Sequence, residues 1–537
     1  MIDSNTTPGV AIQKLISCLT IRDKTIALAL LSALSLILAI AVDYLCFLAV
    51  GQTSLGTWYN PYWIGFFFIC GLLLSSFFVF RHDIKTKPEN LFLAIVLSIT
   101  CFSSISFYIN EPAWDPGTHY SFVLHFGSLN LNTVTTVSDM EMVRTLTNDN
   151  YFNLKELNDY ASKLNEENMF LDGKIYHGTI LAAYFMVASL PASLVYIVCT
   201  ALSVPFSIKF VLVRLVYAII SSLITYFGMK QLKSGKMLFA VIALLPTAVF
   251  IASNYGYDYW VNAFVLLGVA CLVRELQTPD VPITKKRMIL LLGAFLLAFG
   301  PKAIYFPLVF ICFLLPRKKF SSVRAFIIFR GGIVFVSLFA VASFVLPFFV
   351  IYGGPPTGDI RGGEEVSTVG QMSFILSSPF EYARILLHNL PYYYSFEASK
   401  YYIGFYAYLG FLSRPLWVLV FVLMIITALT DKSELDKMVC TWKSRTLSIT
   451  LNLITFILVM TALYVSFTGV GNTVIAGVQP RYMIPLLFFT LIFLSSYRLA
   501  WPRKNNKIKT IYNSAVLGIM SFVLMVGLWQ VYFGLLY

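Results

Sequence analysis

Two carboxylates and a histidine recur at intervals of four residues in the string EPAWDPGTH, which follows directly on an apolar segment. They are Glu111, Asp115 and His119. Ionisable side chains are costly to place in a membrane. Those beside a membrane-length apolar segment therefore often mark functional sites. A carboxylate can accept the proton of an attacking hydroxyl, and an imidazole can act as a second base or orient the loop. The string is therefore the first candidate for chemistry.

Further polar side chains stand at the ends of later apolar segments. Asp258 lies in the turn SNYGYDYWVN, Lys302 follows a Gly-Pro break in FGPKAIYFP, and Arg481 lies in AGVQPRYMIP. Any one of these charges could simply extend to the membrane interface. Together, a lysine and an arginine near a carboxylate suit the binding of a phosphate or diphosphate. The remaining candidates for substrate binding are Gln479, Tyr482 and Arg214.

The composition indicates that membrane-spanning helices position these residues. The chain is 58% hydrophobic and only 12% charged, whereas a soluble domain carries roughly 25% charged residues. Its net charge of +13 falls in short Lys and Arg clusters between apolar segments. That distribution is typical of cytoplasmic loops and argues against a nucleic-acid partner. We therefore expect an all-α, polytopic integral membrane protein surrounded by the lipid bilayer.

About 20 apolar residues are needed for a helix to cross a bilayer, and this length predicts roughly thirteen transmembrane helices. The stretch 178–206 is broken by two prolines and is either two short crossings or helices on the outer surface. The predicted spans are 26–50, 62–80, 90–109, 209–229, 237–253, 256–273, 288–300, 303–315, 326–351, 405–429, 447–468, 482–497 and 512–535.

The positions of Lys and Arg predict the orientation of the chain. With the N-terminus in the cytoplasm, every basic cluster falls on the cytoplasmic side of a multi-pass cell-membrane protein. Two long loops, 110–177 and 352–402, are then extracytoplasmic, and all candidate site residues lie on that face. We divide the chain into an N-terminal part, 1–89, with a cytoplasmic segment and two transmembrane helices, and a transmembrane core, 90–537.

Four elements, taken in order, resemble the C superfamily of membrane glycosyltransferases (the GT-C fold). Within that superfamily the chain is similar to a bacterial family of polytopic membrane proteins formerly of unknown function. Two departures are visible: the usual Asp-Glu pair reads Trp114-Asp115 here, and two additional spans precede the core. The four elements are Pro112 to His119, the turn with Asp258, Lys302-Ala-Ile-Tyr305-Phe-Pro307, and Gln479-Pro-Arg481-Tyr482-Met-Ile-Pro485.

The resemblance implies transfer of a sugar from a polyprenyl-phosphate donor to a cell-envelope glycan or lipid acceptor on the extracytoplasmic face. In that scheme Asp115 is the base, with Glu111 beside it. Lys302 and Arg481 bind the lipid phosphate, and Asp258 orients the acceptor or a cation. No resident metal or other cofactor is expected, and the question whether the reaction uses a divalent cation stays open.

Two other functions stay open. A lipid-linked glycan polymerase or ligase would also act outside the cell on lipid-linked sugars, but such proteins typically carry an arginine-rich large loop late in the chain. A polytopic transporter or flippase would be expected to place charges at mid-membrane depth and to show repeat symmetry. Here the charges gather at one predicted face, and the acidic loop, with ten acids against four bases in 110–177, comes early.

Overall fold

In the residues that the computed structural model describes, the chain forms helices, apart from one antiparallel pair of two-residue strands, β1 (Thr135–Thr136) and β2 (Phe170–Leu171). Glu111 and most of the predicted outer loop 110–177 lie outside the described residues. The structure describes residues 21–50, 61–106, 113–127, 135–136, 170–171, 184–350, 358–359, 362–363, 365–494, 496, 498 and 506–533.

The helices are numbered here in chain order. They are α1 (Ile21–Val50), α2 (Pro61–Phe80), α3 (Pro88–Ser106), α4 (Pro116–Gly127), α5 (Leu190–Ala201), α6 (Phe206–Gln231), α7 (Lys236–Ala243), α8 (Pro246–Ala252), α9 (Asp258–Gln277), α10 (Lys285–Phe299), α11 (Val323–Val350), α12 (Thr368–Ser377), α13 (Pro379–Tyr393), α14 (Ser399–Ile403), α15 (Arg414–Thr430), α16 (Trp442–Phe467), α17 (Ile484–Leu494) and α18 (Asn506–Phe533). Short 3-10 helices cover Val187–Ser189, Ala303–Leu314, Arg317–Lys319, Ala407–Leu409, Glu434–Lys437 and Pro480–Met483.

Seven helical stretches in the described part of the chain are long and apolar enough to cross a membrane. They are Asp23–Leu45, Pro88–Ile105, Ile208–Gln231, Asp258–Gln277, Val323–Leu346, Trp442–Phe467 and Lys507–Gln530. Five shorter apolar helices accompany them: Ile64–Phe80, Val187–Ala201, Ala303–Leu314, Arg414–Thr430 and Pro480–Leu494. Length and composition therefore support a helical membrane protein with several apolar helices, while the number of thirteen crossings and their orientation stay predictions.

Several predicted spans are interrupted where proline or glycine stops a helix. The predicted span 237–253 is divided into α7 and α8 because Pro246 opens the second helix, and proline cannot donate the backbone hydrogen bond that a continuous helix needs. In the stretch 178–206 the main helix, α5, has 12 residues. At about 1.5 Å per residue it is shorter than the hydrocarbon core.

A second break, at Gly300, positions a candidate site residue. Helix α10 ends at Phe299, and the 3-10 helix Ala303–Leu314 begins after Lys302. A Cβ atom added at Gly300 would stand 2.5 Å from the carbonyl oxygen of Tyr184, so only glycine permits this close approach. The backbone break thus sets Lys302 at a junction between two apolar elements.

Helix α9 is the buried centre of the fold. It packs against α6, α10 and α17, and almost all of its side chains are shielded from the surface. A 20-residue helix is about 30 Å long, close to the thickness of a bilayer's hydrocarbon core. Its first residue is Asp258 and its last is Gln277, so the two ends of this one helix anchor polar clusters on opposite sides of the protein.

Candidate functional site

Three charged side chains meet where three helical elements begin. Asp258 is the first residue of α9, Lys302 directly precedes the 3-10 helix Ala303–Leu314, and Arg481 lies in the 3-10 helix Pro480–Met483. The Nζ atom of Lys302 is 2.5 Å from Oδ1 of Asp258, and Nη1 of Arg481 is 3.6 Å from Oδ2. The three side chains are 14%, 8% and 16% exposed for Lys302, Arg481 and Asp258. We call this group the Asp258 cluster.

Local backbone geometry favours this arrangement. A carboxylate at the first position of α9 lies at the positive end of the helix dipole, which stabilises the ionised form. The hydroxyl of Tyr305 donates to the carbonyl oxygen of Tyr482 at 2.8 Å. This bond ties the segment that carries Arg481 to the 3-10 helix that follows Lys302. The two cations are therefore held from separate segments against one carboxylate.

Aromatic rings enclose the two cations. The guanidinium carbon of Arg481 lies 3.9 Å from the centre of the Trp114 ring, and the Lys302 ammonium lies 4.0 Å from the Tyr482 ring and 5.2 Å from Tyr257. A cation over an aromatic face is attracted by the negative charge of that face. These contacts orient the cations and exclude water from one side of each.

Asp115 stands beside this group in an unusual backbone conformation. Its φ is +54°, in the left-handed region that asparagine and aspartate tolerate better than most residues. Its side chain is exposed, and its carbonyl oxygen accepts a hydrogen bond from the backbone N–H of His119 at 3.1 Å. Because Trp114, the preceding residue, lies against Arg481, Asp115 is attached to the Asp258 cluster through its chain neighbour. A strained backbone in such a place suggests function.

His119 is packed against Tyr257 in an edge-to-face contact, with ring centres 4.6 Å apart. Within the described structure its Nδ1 atom is buried without a hydrogen-bond partner. Burial lowers the pKa of the His119 imidazole from its ordinary value near 6.5 to about 4, although the carboxylates of Asp258 and Asp115 act in the opposite direction. The imidazole is therefore neutral at pH 7 and adds no positive charge to the site.

This burial predicts a loss of stability in acid. Because the folded protein holds His119 neutral while the unfolded chain titrates near 6.5, stability is complete above that value and falls as the pH drops towards 4. We expect the melting temperature in detergent to fall more between pH 7 and pH 5 for the wild type than for His119→Gln. His388→Gln changes an exposed histidine on α13 and is the matched control. An equal fall in all three proteins would contradict the prediction.

The remaining predicted residues are placed differently. Gln479 directly precedes the 3-10 helix of Arg481, and its Oε1 atom is buried without a hydrogen-bond partner in the described part of the chain. Arg214, by contrast, is buried on α6 and donates from Nε to the carbonyl oxygen of Ser104 at 2.8 Å, which links α6 to α3. Glu111, the second predicted catalytic carboxylate, lies outside the described residues.

The chemistry of the donors fits an anion better than a metal ion. Both carboxylate oxygens of Asp258 already face cations. Among the residues that the structure describes, no group of three or more His, Cys, Asp or Glu side chains is placed to hold a metal. In the structure Asp258 holds Lys302 and Arg481, and its predicted role in orienting an acceptor or a cation stays a prediction.

Sequence reasoning assigned no separate role to Tyr305, which anchors Tyr482. A signal was present: Lys302 and Tyr305 are three residues apart, and such residues share one side of a 3-10 helix. The spacing could have predicted that both face the same neighbour. Both residues contact Tyr482. The Lys302 ammonium lies over the Tyr482 ring, and the Tyr305 hydroxyl donates to the Tyr482 carbonyl oxygen.

Comparison with known proteins gives one family. The family described as predicted membrane protein (DUF2142) matches residues 176–490. No curated protein matches the chain, and no solved structure matches it. The matched range contains all three residues of the Asp258 cluster, whereas Asp115 and His119 precede it.

Proposed function

The chain belongs to the DUF2142 family of predicted membrane proteins, and we propose that it works at the membrane as a glycosyltransferase of the GT-C type. In this proposal a sugar moves from a polyprenyl-phosphate donor to a cell-envelope glycan or lipid acceptor on the extracytoplasmic face. The bilayer keeps the donor lipid beside the helices that carry the site. The proposal depends on the chemistry of the Asp258 cluster and on the carboxylate next to it.

The observation that supports it is a shielded cluster with one excess positive charge. Lys302 and Arg481 together carry two positive charges, and Asp258 supplies one negative charge. Asp258 therefore holds the two cations in position without neutralising them fully. A guanidinium and an ammonium arranged in this way suit the oxygens of a phosphate, because both groups donate charge-assisted hydrogen bonds. Their partial burial strengthens the attraction.

In the proposed reaction the acceptor hydroxyl gives its proton to the Asp115 carboxylate. The hydroxyl oxygen attacks the anomeric carbon of the donor sugar and forms the new glycosidic bond. The bond between that carbon and the phosphate oxygen breaks, and polyprenyl phosphate leaves with the electron pair. Lys302 and Arg481 stabilise the negative charge that develops on the leaving phosphate. Asp115 is suited to the role of base because it is exposed, and an acceptor can therefore approach it.

Helix α13, in the predicted outer loop 352–402, is placed to bound the site on another side. The Nδ2 atom of Asn389 donates to the carbonyl oxygen of Thr473 at 2.8 Å. The hydroxyl of Tyr393 donates to the carbonyl oxygen of Val478 at 3.4 Å. The segment that α13 contacts leads directly to Arg481. In this proposal the outer loop that carries α13 closes over the substrate bound at the Asp258 cluster.

The test is transfer of sugar by the purified protein in reconstituted membranes, with a panel of polyprenyl-phosphate sugars as donors. We expect transfer by the wild type and a loss of about a hundredfold in Arg481→Gln, because one donor to the transition-state phosphate is removed. The matched control is Arg324→Gln, which removes an exposed arginine at the start of α11, away from the Asp258 cluster and from the loop 352–402. It should leave transfer unchanged.

Other outcomes would identify other functions. Lengthening of a lipid-linked glycan by its own repeat units would indicate a polymerase or ligase. Movement of the lipid-linked sugar across the bilayer with no new glycosidic bond would indicate a flippase. Either result, or equal effects of the two arginine substitutions, would refute the proposed reaction.

A further inference from the structure

A cavity of about 830 Å³ lies at the other end of α9 from the Asp258 cluster. Ser234, which lines the cavity, accepts a hydrogen bond from Nε2 of Gln277, the last residue of α9, at 3.0 Å. Since α9 is about 30 Å long, the cavity is a separate site and its function does not depend on the proposed transfer reaction. Six lysines line it: Lys87, Lys230, Lys233, Lys236, Lys432 and Lys509.

The lining carries an excess of three positive charges, because only three carboxylates, Glu89, Asp431 and Glu434, accompany the six lysines. Each carboxylate has a partner in the fold. Glu89 binds Lys236 at 2.6 Å, and Glu434 binds Lys437 at 3.0 Å. Asp431 accepts the backbone N–H groups at the start of α7, including that of Leu238 at 3.1 Å. Glu89 and Glu434 are thus each paired with a lysine, and the carboxylate of Asp431 faces backbone N–H groups. Of the six lysines, Lys236 is the partner of Glu89, and Lys432 is buried with its ammonium against the carbonyl oxygen of Ile492.

Behind the lining residue Ser234 lies a buried hydrogen-bond network. The hydroxyl of Ser234 donates to Oδ2 of Asp436 at 2.6 Å, and Nε2 of Gln277 donates to Oδ1 at 2.8 Å. Asp436 is completely buried. A satisfied network of this kind holds the surrounding loops in one arrangement. The lysines that border it are therefore presented by a preformed structure.

Retention on the cytoplasmic side accounts for lysines near the ends of spans, but it does not require them to share a cavity. Here the lysines come from four separate parts of the chain: the start of α3, the α6–α7 connection, the turn after α15, and α18. Lys87, Lys230 and Lys233 are exposed. Convergence of like charges raises the energy of the empty site, and an anion that binds there removes this repulsion.

We propose that this cavity binds a phosphate-bearing anion. Lysine ammonium groups bind phosphate as point charges, and a volume of this size accommodates a diphosphate or a phospholipid headgroup. The phosphate belongs either to a soluble ligand or to an anionic lipid of the adjacent leaflet. The chemistry of recognition is the same in both cases, so the experiment must distinguish the two sources.

The test is thermal unfolding of the full chain in neutral detergent at fixed ionic strength. Inorganic pyrophosphate, phosphatidylglycerol and phosphatidylcholine are titrated separately. A ligand that binds the folded state raises the melting temperature with its concentration. A response to pyrophosphate identifies a soluble anion. A response to phosphatidylglycerol alone identifies a lipid headgroup, with phosphatidylcholine as the zwitterionic control.

A double substitution assigns the response to the cavity. We expect Lys230→Gln/Lys233→Gln to weaken the apparent affinity about tenfold or more, since each lysine near an anionic headgroup contributes about 1 kcal/mol. Lys285→Gln/Lys286→Gln removes the same charge from exposed positions at the start of α10, which do not line the cavity. It should change the affinity by about twofold at most. Equal weakening in both variants, an unchanged affinity in the first, or no response of the wild type would overturn the proposal.

Discussion

Asp115→Asn is expected to lower the rate of sugar transfer by about a hundred- to ten-thousandfold, the contribution of a general base. Asparagine keeps the size of the side chain and tolerates the left-handed backbone that Asp115 adopts, with φ of +54°. The substitution therefore removes the carboxylate without adding backbone strain. Alanine would change both properties and could not separate them. The measurement is single-turnover transfer with saturating donor.

The control for this prediction is an exposed aspartate away from the site. Asp280→Asn makes the same chemical change at a side chain that is 91% exposed, and it should leave transfer unchanged. Donor binding by Asp115→Asn should also stay close to that of the wild type, because the phosphate is assigned to Lys302 and Arg481. If Asp115→Asn retains full transfer, Asp115 is not the base. If it loses donor binding instead, the carboxylate positions the donor and takes no proton.

The sequence could predict which residues would gather because its signals were positional. Asp258, Lys302 and Arg481 each follow or precede an apolar segment, and the Lys and Arg pattern placed all three at the same face. The ends of helices on one side of a bundle lie nearer to one another than to the ends on the opposite side. The motifs therefore predicted a shared location. They could not predict which side chains would touch, since contact depends on how each helix is turned about its axis.

Arg214 illustrates this limit. In sequence it resembles Arg481, because both stand near the start of an apolar segment on the predicted outer side. The structure gives it a carbonyl oxygen of α3 as its partner. A helix that is apolar on all sides has no polar face to distinguish one side from another, so the sequence carries no signal for its rotation. Trp114 lies in a bend before α4, where no helical or strand periodicity exists to predict its contact with Arg481.

The number of spans was hard to predict for a different reason. A hydropathy window averages over about 20 residues and does not register a single break. Pro246 divides the predicted span 237–253 into two helices that are each shorter than a membrane crossing. The break at Gly300, by contrast, was predicted from the Gly-Pro pair that separates the predicted spans 288–300 and 303–315. Such breaks are tolerated inside a protein because neighbouring elements supply partners for the freed backbone groups. Hydropathy therefore predicted the membrane class but not the division of the span at Pro246.

Asp258→Asn is expected to destabilise the protein and to abolish transfer together. The substitution leaves Lys302 and Arg481 close to each other without the carboxylate that separates their charges. Removing one partner from a buried ion pair costs about 3 kcal/mol or more. The melting temperature in detergent should fall clearly. Asp280→Asn removes an acid that is 91% exposed and 3.9 Å from Lys318, and it should have little effect because exposed ion pairs contribute little.

A second substitution separates the structural role of Asp258 from its role in the reaction. In Asp258→Asn/Lys302→Met one of the two crowded cations is removed, and methionine fills much of the space of the lysine stem. The double variant should therefore be more stable than Asp258→Asn alone, yet it should still not transfer sugar, because a donor to the phosphate is missing. Recovery of stability without activity would mean that Asp258 holds the cations and that the cations do the binding. If the double variant is no more stable than Asp258→Asn alone, repulsion between Lys302 and Arg481 is not the cause of the instability. Asp258 then stabilises α9 mainly through the helix dipole.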